Sequence, residues 1–413
     1  MPKKGISETG VNELRVLMRV DFNVPLDGQR ITDDRRIVQS LESIRSVIER
    51  GGKLILASHL GRPDGRVRPE LSLRPIAEHL SGLLGRPVAF ADACTGPIAE
   101  RAVGALKSGE VLLLENLRFF PAETLIDKAK KNPDGKPSAE QQAEIDAFAD
   151  GLCALADLYC NNAFGTCHRN HVSMFEVPRR LGPGRRVCGH LVLKELQFLG
   201  EAVSNPGRPF VAILGGAKVS DKIGVLDNLL AKVDRLLIGG AMAYTFLASQ
   251  GRAVGGSLCE GELLDLAANL VRKADGKICL PADSVCATAL EPGIATSTVT
   301  GDIDNSLKGF DVGSKTIGAF SDVIAGAATI IWNGPMGVFE VPPFDAGTLA
   351  VARALAKATQ RGATTIIGGG DSAAAVHAAG LENSMTHIST GGGASLEFLE
   401  GKVFDTIDIL DDA

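Results

Sequence analysis

The residues best suited to chemistry stand just after short apolar runs. In the first half of the chain, Asp21 and Asn23 follow Val16–Val20, His59 and Arg62 follow Lys53–Ala57, and Arg118 follows Val111–Leu114. Arg169 ends the stretch Asn161–Arg169 near a less distinct run at Leu158, and Arg36 opens an amphipathic run, Ile37–Arg50. A guanidinium is a planar fork that grips a carboxylate or phosphate through two parallel hydrogen bonds. One arginine is most often a solvated surface charge, but four at run ends, with His59, suit a small polyanion. Asp21 and Asn23 add an acceptor and an amide for a hydroxyl group. His168 and His171 lack a third metal ligand, so a hydrogen-bonding role is expected of them.

The second half builds with glycine. Phe210–Leu214 runs into Gly215-Gly216-Ala217-Lys218-Val219-Ser220-Asp221-Lys222, Arg235–Ile238 into Gly239-Gly240, and Thr364–Ile367 into Gly368-Gly369-Gly370-Asp371-Ser372. Glycine lets backbone N–H groups approach phosphate oxygens, and a following helix adds its dipole. Lys218 and Lys222 stand four apart, the spacing of one helical turn, which would aim both amines at one polyphosphate. Asp371 beside a triphosphate suits Mg²⁺, which takes one or two carboxylates plus phosphate oxygens; the plainer expectation is a helix cap. In Trp332–Glu340, Asn333 can donate to a phosphate and Glu340 can accept from ribose hydroxyls. The Walker pattern G-x-x-x-x-G-K-[ST] is missing, which excludes a P-loop enzyme. The G-x-G-x-x-G fingerprint is missing too, which argues against a dinucleotide dehydrogenase.

The apolar runs that carry these residues alternate with longer amphipathic stretches, the pattern of parallel sheets covered by helices. Further strands are expected at Lys277–Leu280 and Thr329–Trp332. The fold class that follows is α/β, with two Rossmann-like domains, parallel sheets flanked by helices, and an interdomain helix and hinge. Open sheets of this kind bind ligands beyond the carboxyl ends of their strands, so each domain should carry one site. The 413 residues exceed what one core comfortably holds. Expected boundaries are 1–186, a linker over 187–204 with a helix at Val187–Gly200, 205–395, and a tail over 396–413. Lys130–Pro137 reads as a surface loop.

With 43 basic and 49 acidic residues the net charge is −6, which gives no overall field for nucleic acid. The 8 cysteines form no C-x-x-C pair and are expected to be reduced core thiols. Neither a signal-peptide pattern nor a long uncharged apolar run occurs, so a cytoplasmic protein without membrane contact is expected.

The ordered motifs RVDFNVP (Arg19–Pro25), SHLGRP (Ser58–Pro63), ENLRF (Glu115–Phe119), AFGTCHR (Ala163–Arg169), LGGAKVSDKI (Leu214–Ile223), WNGPMGVFE (Trp332–Glu340), GGGDS (Gly368–Ser372) and STGGGASLEFLEGK (Ser389–Lys402) resemble the phosphoglycerate kinase family from about residue 19 to 402. The resemblance implies a monomeric glycolytic kinase acting on ATP/ADP and 3-phosphoglycerate/1,3-bisphosphoglycerate, with Mg²⁺ as cofactor and hinge closure of the two domains. It assigns Asp21, Phe22, Asn23, Arg36, His59, Leu60, Gly61, Arg62, Arg118 and Arg169 to the acid. To the nucleotide it assigns Lys218, Lys222, Gly240, Asn333, Glu340, Gly369, Gly370, Asp371 and Ser372, with Asp371 on the metal. Arg36, Lys222, Gly370 and Gly392 would stabilise the transferring group. Four positions depart from the family's common residues: Phe120 for histidine, Asn162 for aspartate, Cys167 for alanine and Ser372 for threonine. Another small-molecule kinase or a non-catalytic nucleotide binder would share much of this pattern; a substrate panel separates the first, and absence of turnover the second.

Overall fold

The computed structural model describes residues 2–132 and 134–413; Met1 and Pro133, the latter within the Lys130–Pro137 stretch, lie outside the described residues. The chain forms two compact units, one of Met1–Leu196 with Val403–Ala413 and one of Gln197–Lys402.

The first unit is built on strands β1 (Arg15–Val20), β2 (Lys53–Ala57), β3 (Val88–Ala91), β4 (Val111–Leu114), β5 (Leu158–Asn162) and β6 (Arg186–Cys188). They pair in parallel in the order β3-β4-β2-β1-β5-β6. The central strands are buried along nearly their whole length, which is why they read as unbroken apolar runs instead of alternating ones. The helix Arg35–Ile48 buries Ile37, Ser40, Ile44, Val47 and Ile48, the three-and-four spacing of one helical face. Strand β1 lies between β2 and β5, so the loops after these three strands open on one crevice.

The second unit repeats the plan with β7 (Phe210–Leu214), β8 (Arg235–Ile238), β9 (Ile278–Cys279), β13 (Thr329–Asn333), β14 (Thr364–Gly368) and β15 (His387–Ile388), in the parallel order β9-β8-β7-β13-β14-β15. Between β9 and β13 the chain adds an antiparallel sheet that the sequence reading lacks: β10 (Asp283–Ala287) at the centre, with β11 (Ser297–Thr300) and β12 (Lys308–Val312) beside it. These strands are short and mixed in polarity, and β11 is largely exposed, so no strong periodicity marks them.

Two boundaries differ from expectation. The helix expected at Val187–Gly200 runs His190–Ser204, because Val187 and Cys188 pair with β5. Asn162 fixes the switch, its Oδ1 accepting from Leu191 N at 3.1 Å, and a Cβ on Gly189 would come within 2.2 Å of that oxygen. The expected tail from residue 396 begins later, at Val403, because the helix Gly393–Leu399 packs on Ile223–Leu230 within the second unit. Beyond that point Thr406 Oγ1 donates to Cys167 O at 2.5 Å, and Asn170 donates to Asp405 at 2.8 Å. No helix among the described residues is long and apolar enough to cross a membrane.

Candidate functional site

In the first unit, the loops after β1, β2 and β4 interlock through the residues singled out in sequence. Asn23 Oδ1 accepts from Gly61 N at 2.8 Å, and Gly61 O accepts from Arg118 Nη1 at 2.8 Å. Arg36 Nη1 donates to Asp21 Oδ2 at 3.0 Å and to Asn23 O at 3.2 Å. Asp21, itself buried, and the half-buried Asn23 therefore hold the scaffold together. Phe22 and Leu60 bury their side chains in the core, so only their backbone is available to a ligand. Arg62 is exposed, and Arg169 stands beside Asp127 at 3.5 Å.

Beneath this layer lies an arginine the sequence reading passed over. Arg19 is fully buried in β1; its Nε donates to Ser173 Oγ at 3.0 Å and its Nη2 to His59 Nδ1 at 3.1 Å. A guanidinium can only donate, so Nδ1 of His59 is the acceptor and the ring proton resides on Nε2. Burial, reinforced by Arg19, Arg118 and Arg36, holds the His59 imidazole well below its ordinary pKa. His59 is thus a neutral hydrogen-bond donor through Nε2. The signal that could have found Arg19 is a lone charge inside an apolar run, which demands a partner wherever it is buried.

Arg118 is under similar pressure. Burial first, then Arg19 and Arg62, push its pKa down to about 10, and its Nε is buried without a hydrogen-bond partner. Cations gathered this closely, with a donor left over, form a site that an anion would relieve. Asn116 was also passed over. It braces this wall by accepting from Leu60 N at 3.2 Å and Arg118 N at 3.0 Å and donating to Leu60 O at 2.8 Å.

In the second unit, the loops after β7, β8 and β13 meet backbone to backbone. Gly216 N donates to Pro335 O at 3.0 Å and Gly240 N to Met336 O at 2.9 Å. A Cβ on Gly215 would lie 2.0 Å from Pro335 O, so only glycine allows this approach. The loops enclose a cavity of about 490 Å³. Its lining includes Gly240, Leu258, Leu290, Phe310, Val338 and Glu340, with Asp371 at one side. Lys308 and Gly309 come from the unforeseen strand β12.

Asn333 Oδ1 accepts from the buried ammonium of Lys222, while Asn333 Nδ2 is buried without a partner alongside Gly369. Burial pushes Lys222 down to about 8 against the opposing pull of Asp371 and Asp221. The two lysines do not share a helical turn as expected: the helix starts only at Ile223, so Lys218 is an exposed loop residue and Lys222 closes a short 3-10 turn. Glu260, absent from the sequence reading, anchors that turn by accepting from Val219 N at 2.6 Å and Ser220 Oγ at 2.5 Å.

The helix Gly370–Ala378 is capped by the backbone of Gly369 with no side-chain cap, so Asp371 in its first turn is not the cap and is exposed. Ser372 is buried, and its Oγ accepts from Gly334 N at 2.6 Å, joining the loops after β13 and β14. Gly392 takes φ +52° ahead of the helix Gly393–Leu399. Of the other departures, Phe120 stacks on Phe148 at 5.0 Å, Asn162 starts the linking helix, and Cys167 is buried beside Asn161. Among the described residues, no group of three histidine, cysteine or carboxylate side chains could hold a metal alone. The exposed Asp371 carboxylate fits Mg²⁺ only in company with phosphate oxygens supplied by a ligand.

Comparison with known proteins shows the family. The family model described as phosphoglycerate kinase matches residues 6–402. Proteins named phosphoglycerate kinase from Prosthecochloris aestuarii and Rhodopirellula baltica are each 51 % identical, over 417 and 418 residues, covering 100 % of both chains. The solved phosphoglycerate kinase of Coxiella burnetii superposes with a TM-score of 0.84 at 37 % identity, covering 99 % of this chain and 98 % of the other. That of Pyrococcus horikoshii superposes at 0.80 and 29 % identity, with the same coverage.

The depressed Lys222 pKa makes the stability of the fold depend on pH. The folded pKa of about 8 lies below the ordinary value of 10.5. The buried ammonium therefore destabilises the fold fully below pH 8, and this cost is relieved as pH rises towards 10.5. Lys222→Met should melt at a higher temperature than the parent at pH 7, with the gap closing by pH 10.5. Tripolyphosphate, which needs the ammonium, should bind the parent less tightly as pH rises through 8, and calorimetry with Lys222→Met should show little such dependence.

Proposed function

Because the chain belongs to the phosphoglycerate kinase family, we propose that it catalyses reversible phosphoryl transfer between ATP and the carboxylate of 3-phosphoglycerate, giving ADP and 1,3-bisphosphoglycerate. The observation that carries the reading is the half-buried cation cluster around Arg118, with its unpaired Nε and no carboxylate close enough to Arg62 to form an ion pair among the described residues. Arg36, Arg62, Arg118 and Arg169 bind the phosphate and carboxylate of the acid. His59 donates through Nε2, and Asp21, Asn23 and the backbone of Phe22, Leu60 and Gly61 shape the cleft around its hydroxyl.

The base and ribose occupy the 490 Å³ cavity, with Gly240 at its wall and Glu340 towards the ribose. Lys218, Lys222, Asn333 and the Gly369–Ser372 turn hold the phosphates. Asp371 holds Mg²⁺, which when bound neutralises phosphate charge. The attacking carboxylate is already ionised at neutral pH, so no general base is required, and catalysis is positioning plus charge neutralisation. Arg36, Lys222 and the backbone N–H groups of Gly370 and Gly392 serve that end.

In-line transfer brings the attacking oxygen to roughly 3 Å from phosphorus, and the two ligand sets belong to different units. The reading therefore includes a closing motion, with the helix His190–Ser204 and the segment Ser389–Gly393 as hinges. It also takes the chain as a cytoplasmic monomer whose partners are small molecules, with no nucleic acid or membrane.

Arg118→Ala should weaken 3-phosphoglycerate binding by about 1.5–3 kcal/mol, one lost charge-assisted contact, and leave ADP binding unchanged; equal acid affinity in calorimetry would sink the assignment. Asp371→Asn should cut turnover and raise the Mg²⁺ concentration for half-maximal rate, because a neutral amide is a poor ligand. A wild-type Mg²⁺ curve would place the ion elsewhere. Small-angle scattering with each ligand, and with acid plus a non-hydrolysable ATP analogue, should show the greatest compaction in the ternary complex. The forward intensity should give the mass of one chain, and an unchanged radius in every state would rule out the hinge.

A further inference from the structure

Arg169 differs from the other cations of the acid-binding set in having a carboxylate beside it that the motif pattern does not include. Asp127 Oδ2 lies 3.5 Å from Arg169 Nη1 and 3.2 Å from His171 Nε2, so one oxygen serves both groups. The other oxygen accepts from Lys130 Nζ at 2.7 Å. His171 is buried and cannot swing, and on its far side Glu123 Oε1 stands 3.9 Å from Nδ1. Glu123 is fixed in turn: it accepts from Ser173 N at 2.9 Å and from Ser173 Oγ at 2.6 Å, and that hydroxyl accepts from Arg19 Nε. Polar groups thus line up from the buried Arg19–His59 pair to the exposed Arg169, hydrogen-bonded except at the 3.5 Å ion pair of Asp127 with Arg169 and at the 3.9 Å step between Glu123 and His171, whose Nδ1 has no hydrogen-bond partner.

The local sequence accounts for the placement. Phe120 stacks on Phe148 of the helix Ala139–Ala154, next to the turn Pro121–Thr124 that carries Glu123. The short helix Leu125–Ala129 follows and presents Asp127. Hydrogen bonding from His171, then from Lys130, holds the Asp127 carboxyl well below the usual carboxylate range despite partial burial.

We infer that Asp127 is a positioning residue for the acid substrate, holding the Arg169 guanidinium at the cleft by a bridge to the immobile His171. The contact engages one guanidinium nitrogen at 3.5 Å, and the Arg169 side chain keeps 50 % of its exposure. The remaining N–H donors are left to a ligand, which distinguishes positioning from sequestration. An arginine otherwise carries a large rotamer entropy that each binding event would have to remove. The inference rests on the assignment of Arg169 to 3-phosphoglycerate made above.

Steady-state kinetics on Asp127→Asn, Asp127→Glu, Arg169→Ala and the Asp127→Asn/Arg169→Ala double variant test it. Asp127→Asn should raise KM for 3-phosphoglycerate about three- to fivefold, the worth of a partly exposed ion pair, with kcat within about twofold and KM for ATP unchanged. Asp127→Glu should recover part of the loss. On the Arg169→Ala background, Asp127→Asn should add nothing, because its effect passes through the arginine. An unchanged or lowered KM in Asp127→Asn, a loss confined to kcat, or full additivity in the double variant would overturn the inference while leaving the proposed function intact. Absence of wild-type turnover with 3-phosphoglycerate and ATP would instead overturn the proposed function, and this inference with it.

Discussion

Cations held out of water near one another are unfavourable, and both units of this chain are organised around keeping some of them there. Arg118 and Lys222 each pay in desolvation, visible as pKa values pushed down to about 10 and about 8. Arg19 is buried outright, and His59 beside it is held neutral by its own burial first and by the Arg19 charge second. Such strain persists only where surrounding structure enforces it. Here that structure is the pair of parallel sheets, whose buried central strands fix the loops at their carboxyl ends.

The two units meet the constraint with different materials. The first uses long side chains braced by short polar ones: Asp21 on Arg36, Gly61 O on Arg118, Ser173 and His59 on Arg19. The second removes side chains, so that Gly215, Gly240 and Gly334 let three loops bond backbone to backbone beside a cavity. An acid with two small charged ends suits the former, since guanidinium forks read charge and direction together. A polyphosphate suits the latter, since the N–H groups in the first turn of the helix Gly370–Ala378 have no partner within the helix and no side-chain cap.

The positions that depart from the family's common residues each have definite contacts here. Ser372 retains the hydroxyl that accepts from Gly334 N, as threonine would. Asn162 retains an oxygen for Leu191 N and Ser43 Oγ at the start of the linking helix, although its Nδ2 is left without a partner. Phe120 exchanges a polar ring for a stack on Phe148.

Much of this was legible in the sequence alone. Strands such as Lys53–Ala57, Val111–Leu114, Phe210–Leu214 and Arg235–Ile238 stand where their apolar runs stand, because a strand buried on both faces needs little beyond local composition to declare itself. The arginines, glycines and Asp371 stood out for a related reason: polar and glycine-rich stretches directly after buried strands contrast with the apolar runs before them. What needed the tertiary structure was whatever depends on partners distant in the chain. Arg19 becomes intelligible only beside His59 and Ser173, and Asp127 only beside Arg169 and His171. The Lys218–Lys222 spacing could not reveal that the helix starts after both, nor that one lysine is exposed and the other buried against Asn333. The antiparallel strands Asp283–Ala287, Ser297–Thr300 and Lys308–Val312 left little local trace, because their stability comes from pairing across the sheet and not from their own periodicity.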